Sequence, residues 1–183
     1  ELVQPGHPLK PGNIIESNSR VLAAMIKEWG AEPEILPIAK DDYNELKEAI
    51  TATFKRCDIL LVNAGSSAGR EDYTAPLVKE LGELLVHGVS IKPGKPVVLG
   101  IVDKKPIIGI PGFPVSATIT NELFVKPIIY NCLKLPEPQK ETVKCTLARS
   151  IYSSLGVEEF VRVNVAKIGE KFVAAPLGRG AGV

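Results

Sequence analysis

The sequence predicts an α/β fold: a three-layer α/β/α domain with a mostly parallel sheet over residues 1–138, followed by part of a small β domain over residues 139–183. Three observations carry this expectation. Apolar runs of strand length alternate with amphipathic helical segments as far as Leu133. After Leu135-Pro136-Glu137-Pro138 the texture changes, and strand-like segments follow one another without helices between them. A chain of 183 residues with 45% hydrophobic content also has enough apolar material for one well-cored domain and a smaller appendage.

The elements follow in order. Residues 1–12, rich in the turn formers Pro5, Gly6, Pro8, Pro11 and Gly12, read as a lead-in loop near a domain boundary. Ser17 and Asn18 can cap a helix whose apolar positions Val21, Leu22, Met25, Ile26 and Trp29 keep helical spacing, with Gly30 as the stop. Residues 34–39 suit a short strand, and Asp41 or Asp42 then caps a helix through Leu46, Ile50 and Phe54 to about residue 56. Residues 58–63 form a buried strand, 71–81 a helix, 97–102 and 106–110 two more strands, and 115–133 a long helix carrying Pro127. Beyond 139, residues 141–149, 159–168 and 171–175 read as strands, and 162–166 alternate in the antiparallel manner.

Composition excludes several function classes. A net charge of +1 supplies no bulk field for nucleic acid or an anionic membrane, so any anion site must be local. Cys57, Cys132 and Cys145 have no close pairing, which argues against a disulfide framework or a zinc site and suits a reduced cytoplasm. No run approaches the roughly 18 consecutive apolar residues of a membrane span, and no signal-like segment opens the chain. His7 and His87 lie far apart without ligand-type partners, and neither a G-x-G-x-x-G nor a P-loop pattern is present. Ser66 and Ser67 have no evident histidine base. Because the sequence starts at Glu1 without Met and stops at Gly182-Val183, we expect it to be a piece of a longer protein.

The candidate site begins where Ile59-Leu60-Leu61-Val62 breaks into Asn63-Ala64-Gly65-Ser66-Ser67-Ala68-Gly69 ahead of a helix. A strand that ends in a Gly/Ser loop and feeds a helix aims backbone N–H groups at one spot, so Gly65, Ser67 and Gly69 suit an anion such as phosphate as well as they suit a plain turn. Asp72 follows within the first helical turn, where it either complements the helix dipole or holds Mg²⁺ beside a phosphate. Lys92 and Lys95 sit on one Pro/Gly turn, Ile91-Lys92-Pro93-Gly94-Lys95-Pro96, as solvated charges or as paired cations for an anion. Pro111-Gly112-Phe113-Pro114-Val115-Ser116-Ala117 opens another helix after another strand, with Gly112 at the turn and the Ser116 hydroxyl near its free N–H groups.

Together these loops resemble the molybdopterin-binding domain of the MoeA family, the molybdopterin molybdotransferases, whose loops read roughly SGGxSxG, KPGKP and PGNPVSA. The likeness runs over nearly the whole chain, and the 92–96 segment matches wholly. Ala64 replaces the family's first glycine, Asn63 its preceding serine and Phe113 its asparagine; an aromatic ring there can stack on a pterin or adenine. The resemblance implies insertion of molybdate into adenylylated molybdopterin with release of AMP, Mg²⁺ as cofactor, and a cytoplasmic homodimer in the complete protein. It implies catalytic roles for Asp72, Lys92 and Lys95, metal binding by Asp72, and pterin or nucleotide binding by Gly65, Ser67, Gly69, Gly112, Ser116 and Asp42. Asp42 otherwise reads as a helix cap, and Glu1, matching the end of the family's TGDEL segment, as a solvated terminus. The alternatives are a molybdopterin adenylyltransferase of the same fold and a non-catalytic pterin-binding scaffold.

Overall fold

The structure, a computed structural model, describes residues 2–63 and 73–178. Short strands β1 (Leu2–Val3) and β2 (Ile14–Ile15) pair in parallel ahead of helix α1 (Asn18–Glu28). The expected stop is observed, with Gly30 at φ 91° and the Ala31 N–H closing back onto the Ile26 carbonyl. The expected cap is not: the Ser17 side chain makes no capping bond, and the Glu16 carboxylate accepts the Ser19 N–H at 2.8 Å instead. Helix α2 (Tyr43–Phe54) is capped by Asp42, whose Oδ1 accepts the N–H groups of Asn44 and Glu45 at 3.0 Å.

No strand forms over residues 34–39. Pro37 removes a ladder donor within this stretch and Pro33 one just ahead of it, and Ile35 and Ile38 remain exposed. Strand β3 (Leu60–Asn63) is the buried strand expected there, and helix α3 (Thr74–Leu81) fills the described part of the next expected helix. It leads into a strand the sequence reading did not include, β4 (Glu83–His87). Strand β5 (Ile91–Lys92), β6 (Val98–Val102) and β7 (Lys105–Ile110) follow.

The central sheet has the order β3-β7-β6-β4 and is mixed. Strands β3 and β7 run parallel with Leu60 opposite Ile107 and Asn63 opposite Ile110, while β6 is antiparallel to both β7 and β4. The antiparallel pairing follows from Asp103 and Lys104, both at positive φ, which form a two-residue hairpin turn of the twist strands prefer. The central sheet is thus mixed, not mostly parallel as the sequence predicts, because the hairpin reverses β6; the α/β class itself is as expected, and short parallel pairs recur elsewhere.

Period-two alternation divides the apolar residues between the faces of this sheet. Ile107, Val98 and Val102 pack with Ile50 and Phe54 of α2 and Leu77 and Val78 of α3. Ile108 and Ile110 pack with Leu22 and Trp29 of α1 and with Ala117, Val125 and Ile129 from the segment after β7. Helices thus cover both faces, which gives the three layers.

The long helix expected over 115–133 is interrupted. Helix α4 (Pro114–Thr120) passes into a π-helical turn, Asn121–Val125, and then into helix α5 (Lys126–Leu133). The Lys126 N–H reaches the Asn121 carbonyl five residues back, which resets the ladder just before Pro127, a residue with no N–H to give. Beyond 139, β8 (Thr146–Leu147) covers only two residues of the strand expected over 141–149, β9 (Glu158–Glu159) and β10 (Val163–Ile168) replace the single strand expected over 159–168, and β11 (Lys171–Pro176) lies where expected. β8, β10 and β11 form a separate sheet in the order β10-β11-β8, and β10 and β11 pair antiparallel. No helix among the described residues is long and apolar enough to cross a membrane.

Candidate functional site

Strand directions decide where the candidate loops emerge. Because β3 and β7 are parallel and end side by side at Asn63 and Ile110, the chain enters residues 64–72 and residues 111–113 from the same end of the sheet. β6 runs the other way and pairs Val98 with Gly109, so its start, and the lysine turn just before it, lies at that end too. Gathering loops at the carboxyl ends of adjacent strands is how open α/β sheets build ligand crevices.

Side chains tie these segments together. Asn18, buried at the start of α1, donates through Nδ2 to the Gly112 carbonyl at 2.7 Å and approaches Asn63 Oδ1 at 3.4 Å. Asn63 Nδ2 in turn lies 3.4 Å from the Glu16 carboxylate, which also accepts from the Ser19 hydroxyl. Glu16 is only 7% exposed. One partly buried network therefore joins the start of α1, the end of β3 and the turn after β7, and connected polar networks of this kind fix geometry.

The lysine turn is seated on α4. Gly94 has φ 113°, and a Cβ there would lie 2.9 Å from Ile91 Cδ1 and 3.1 Å from Thr120 Oγ1. Only glycine combines that backbone conformation with so close an approach. Thr120 lies four residues after Ser116, so both buried hydroxyl side chains share one face of α4. Thr120 Oγ1 and Asn121 Oδ1 are buried without a hydrogen-bond partner among the described residues. The Lys92–Pro93 peptide is cis, and both lysine side chains point out of the protein body far enough to be exposed.

The predicted site residues divide as follows. Lys92, Lys95, Gly112 and Ser116 are carried by the two segments that emerge at this end of the sheet. Asp42 is exposed, and one of its carboxylate oxygens is committed to capping α2. Gly65, Ser67, Gly69 and Asp72, with Ala64 and Glu1, lie outside the described residues. Phe113 is half exposed at the start of α4. The sequence reading missed Glu16, Asn18 and Thr120 as contributors. Ser17-Asn18 at a helix start did signal something polar, but Asn18 turns away from its own helix to bridge two distant segments.

Residues 1–131 match the family model described as "Probable molybdopterin binding domain". The chain belongs to this family. It is 38% identical over 154 residues to a Methanocaldococcus jannaschii protein named for molybdopterin biosynthesis, covering 84% of this chain and 37% of that one. It is 33% identical over 172 residues to molybdopterin molybdenumtransferase 2 of Mycobacterium tuberculosis, covering 88% of this chain and 42% of the enzyme. Among solved structures it resembles the molybdopterin biosynthesis MoeA protein of Pyrococcus horikosii, with a TM-score of 0.81 and 34% identity over 100% of this chain and 44% of that one. The molybdopterin-binding family is therefore established from sequence and from fold, and the chain spans about two fifths of the length of these relatives.

Proposed function

We propose that this chain forms the pterin-binding floor of a molybdopterin molybdotransferase, which inserts molybdate into the dithiolene of adenylylated molybdopterin as AMP departs. The observation that carries the reading is the arrival of the lysine turn and the 111–113 turn at the sheet end where β3 delivers the chain into residues 64–72. Substrate and molybdate are both anions, so bringing them together costs electrostatic work that two ammonium groups on a constrained turn reduce. Lys92 and Lys95 take that role, Gly112 and Ser116 border the pterin, and the Asn18 bridge keeps Gly112 in place.

Mg²⁺, a homodimeric assembly and a cytoplasmic setting belong to the same proposal. For the cation, the described residues include no group of three acidic, histidine or cysteine side chains suited to hold it, and Asp72 lies outside them. The mechanism rests on what the lysines do: neutralise charge as the phosphoanhydride bond breaks and the adenylyl phosphate leaves.

The test is molybdate-dependent AMP release from adenylylated molybdopterin by the complete protein. Lys92→Ala and Lys95→Ala are each expected to slow turnover by about 10²-fold, the typical cost of losing one charge-stabilising donor, with the unfolding midpoint unchanged because exposed lysines add little stability. Wild-type turnover in both variants would remove the lysine turn from the site. Formation of adenylylated molybdopterin from ATP and molybdopterin, with pyrophosphate released, would instead point to the adenylyltransferase chemistry of the same fold.

A further inference from the structure

We propose that Glu159 is a positioning residue for Lys92, and that strand β9 is the strap that holds the lysine turn in its working orientation. The proposal rests on the assignment of Lys92 to the site.

The backbone sets the register. β9 pairs in parallel with β5, placing Ile91 opposite Glu158 and Lys92 opposite Glu159. The Glu158 N–H donates to the Ser90 carbonyl at 2.9 Å and the Phe160 N–H to the Lys92 carbonyl at 2.8 Å, so the two bonds bracket the paired residues. A slip of one residue would turn the Glu159 side chain to the opposite face, which makes the pairing specific as well as adhesive.

Burial sets the strength. The Glu159 side chain is only 7% exposed, and its Oε1 lies 3.7 Å from Lys92 Nζ, whose side chain is 57% exposed. A carboxylate shielded from water attracts a nearby ammonium more strongly than one on the open surface. A lysine stem is long and flexible, so an unpaired ammonium is spread over many rotamers, whereas one held by a fixed carboxylate is confined. Lys95, on the same turn, makes no ion pair among the described residues. The two cations of the turn are thus unequal: one is held from the β segment and one is free to follow the ligand. With Gly94 seated on Ile91 and Thr120 from below, β9 supplies the lateral restraint.

Two readouts on the complete protein test this. The first does not depend on turnover: trace acetylation with acetic anhydride, read by mass spectrometry as labelling of Lys92 relative to Lys95. Glu159→Gln, which removes the charge and keeps the shape, is expected to raise that ratio several-fold, and Glu159→Asp to fall between wild type and Gln. The Asp variant also carries the test if the Gln variant fails to fold. The second is AMP release: Glu159→Gln is expected to lower kcat by about tenfold through misplacement of the ammonium, and Lys92→Ala/Glu159→Gln to be no slower than Lys92→Ala alone. An unchanged labelling ratio overturns the proposal and leaves the functional reading intact. A changed ratio with wild-type turnover in Glu159→Gln and slow turnover in Lys92→Ala overturns the positioning role alone. Wild-type turnover in Lys92→Ala would instead defeat the assignment of Lys92 to the site, and the positioning role with it.

Discussion

Strands β7 and β10 are both six residues long and both rich in branched apolar side chains, yet they occupy opposite environments. β7 lies between β3 and β6 with helices over both faces, and its last four residues are buried. β10 lies at the edge of its sheet, and all six of its residues are exposed. The first is held by apolar burial, the second by its ladder to β11 and by little else. Stability therefore resides in the α/β body, while the segment beyond residue 138 keeps its place through directional contacts: the β5–β9 pairing, the Lys92–Glu159 pair and the Lys140–Glu122 pair. Contacts of that kind determine position at small cost in total stability, which suits a segment that aligns a site without building its core.

The comparison is broken most forcefully by truncating β7. Ile107 is fully buried against α2 and α3, so Ile107→Ala is expected to cost about 2–5 kcal/mol, the range for deleting a branched core side chain. Urea denaturation of wild type and variant measures this. A cost below about 1 kcal/mol would show that the core relaxes around the cavity and that the body is less closely packed than its burial indicates.

Gly94→Ala is the next largest. The added Cβ meets Ile91 and Thr120 at a positive φ, so a loss of about 1–3 kcal/mol is expected from strain and overpacking together. Because the strain falls on the lysine turn, AMP release is expected to drop by more than the unfolding midpoint shift explains. Proportionate losses in both would show that the turn has only a structural role.

How far the site was legible follows from the same contrast. Elements specified by local signals were readable: the periodicity of α1 with its Gly30 stop, the Asp42 cap of α2 and the apolar run of β3 all lie where the sequence puts them. Features that depend on a partner distant in sequence were not. Asn18 looks like a cap but bridges Asn63 and Gly112, 45 and 94 residues away, and no local pattern announces that. The 34–39 run is apolar enough for a strand, yet Pro33 and Pro37 deny it a ladder. Asp103-Lys104 between two apolar runs is a hairpin signal in hindsight, but neither residue is the glycine or asparagine that usually marks positive φ. Nothing in the neighbourhood of Glu159 reveals that Lys92 lies beside it.

A smaller effect probes the joint between body and β segment. Burial pushes the Glu122 carboxyl up, but hydrogen bonds from Lys126 and Lys140 and their charges outweigh it, and the group titrates below the ordinary glutamate value. Lys126 titrates above the ordinary lysine value, chiefly through its hydrogen bond to Glu122. A depressed carboxyl contributes stability that is complete above its unfolded value and lost as pH falls through its folded one; the raised lysine contributes below its unfolded value and loses it as pH rises through its folded one. Glu122→Gln is therefore expected to remove about 1 kcal/mol at neutral pH and to flatten the acid limb of a stability–pH curve. An unaltered acid limb would assign that limb to other carboxylates.

The smallest effect is expected on β10 itself. Val165 is 48% exposed and lies opposite Ala174 in the β10–β11 ladder, so Val165→Thr keeps the branched shape that strands favour and exchanges a methyl group that is already half in water for a hydroxyl. A surface exchange of this kind costs less than about 0.5 kcal/mol. An Ile108→Thr exchange in β7, where the side chain is 1% exposed, would bury a hydroxyl in an apolar core and cost several times as much. Denaturation of Val165→Thr in the complete protein sharpens the contrast because it asks whether the apolar side of β10 stays open there. A loss well above about 1 kcal/mol, beyond what an exposed position can give, would mean that another part of the complete protein covers this strand, and that the β segment is held by burial as the body is.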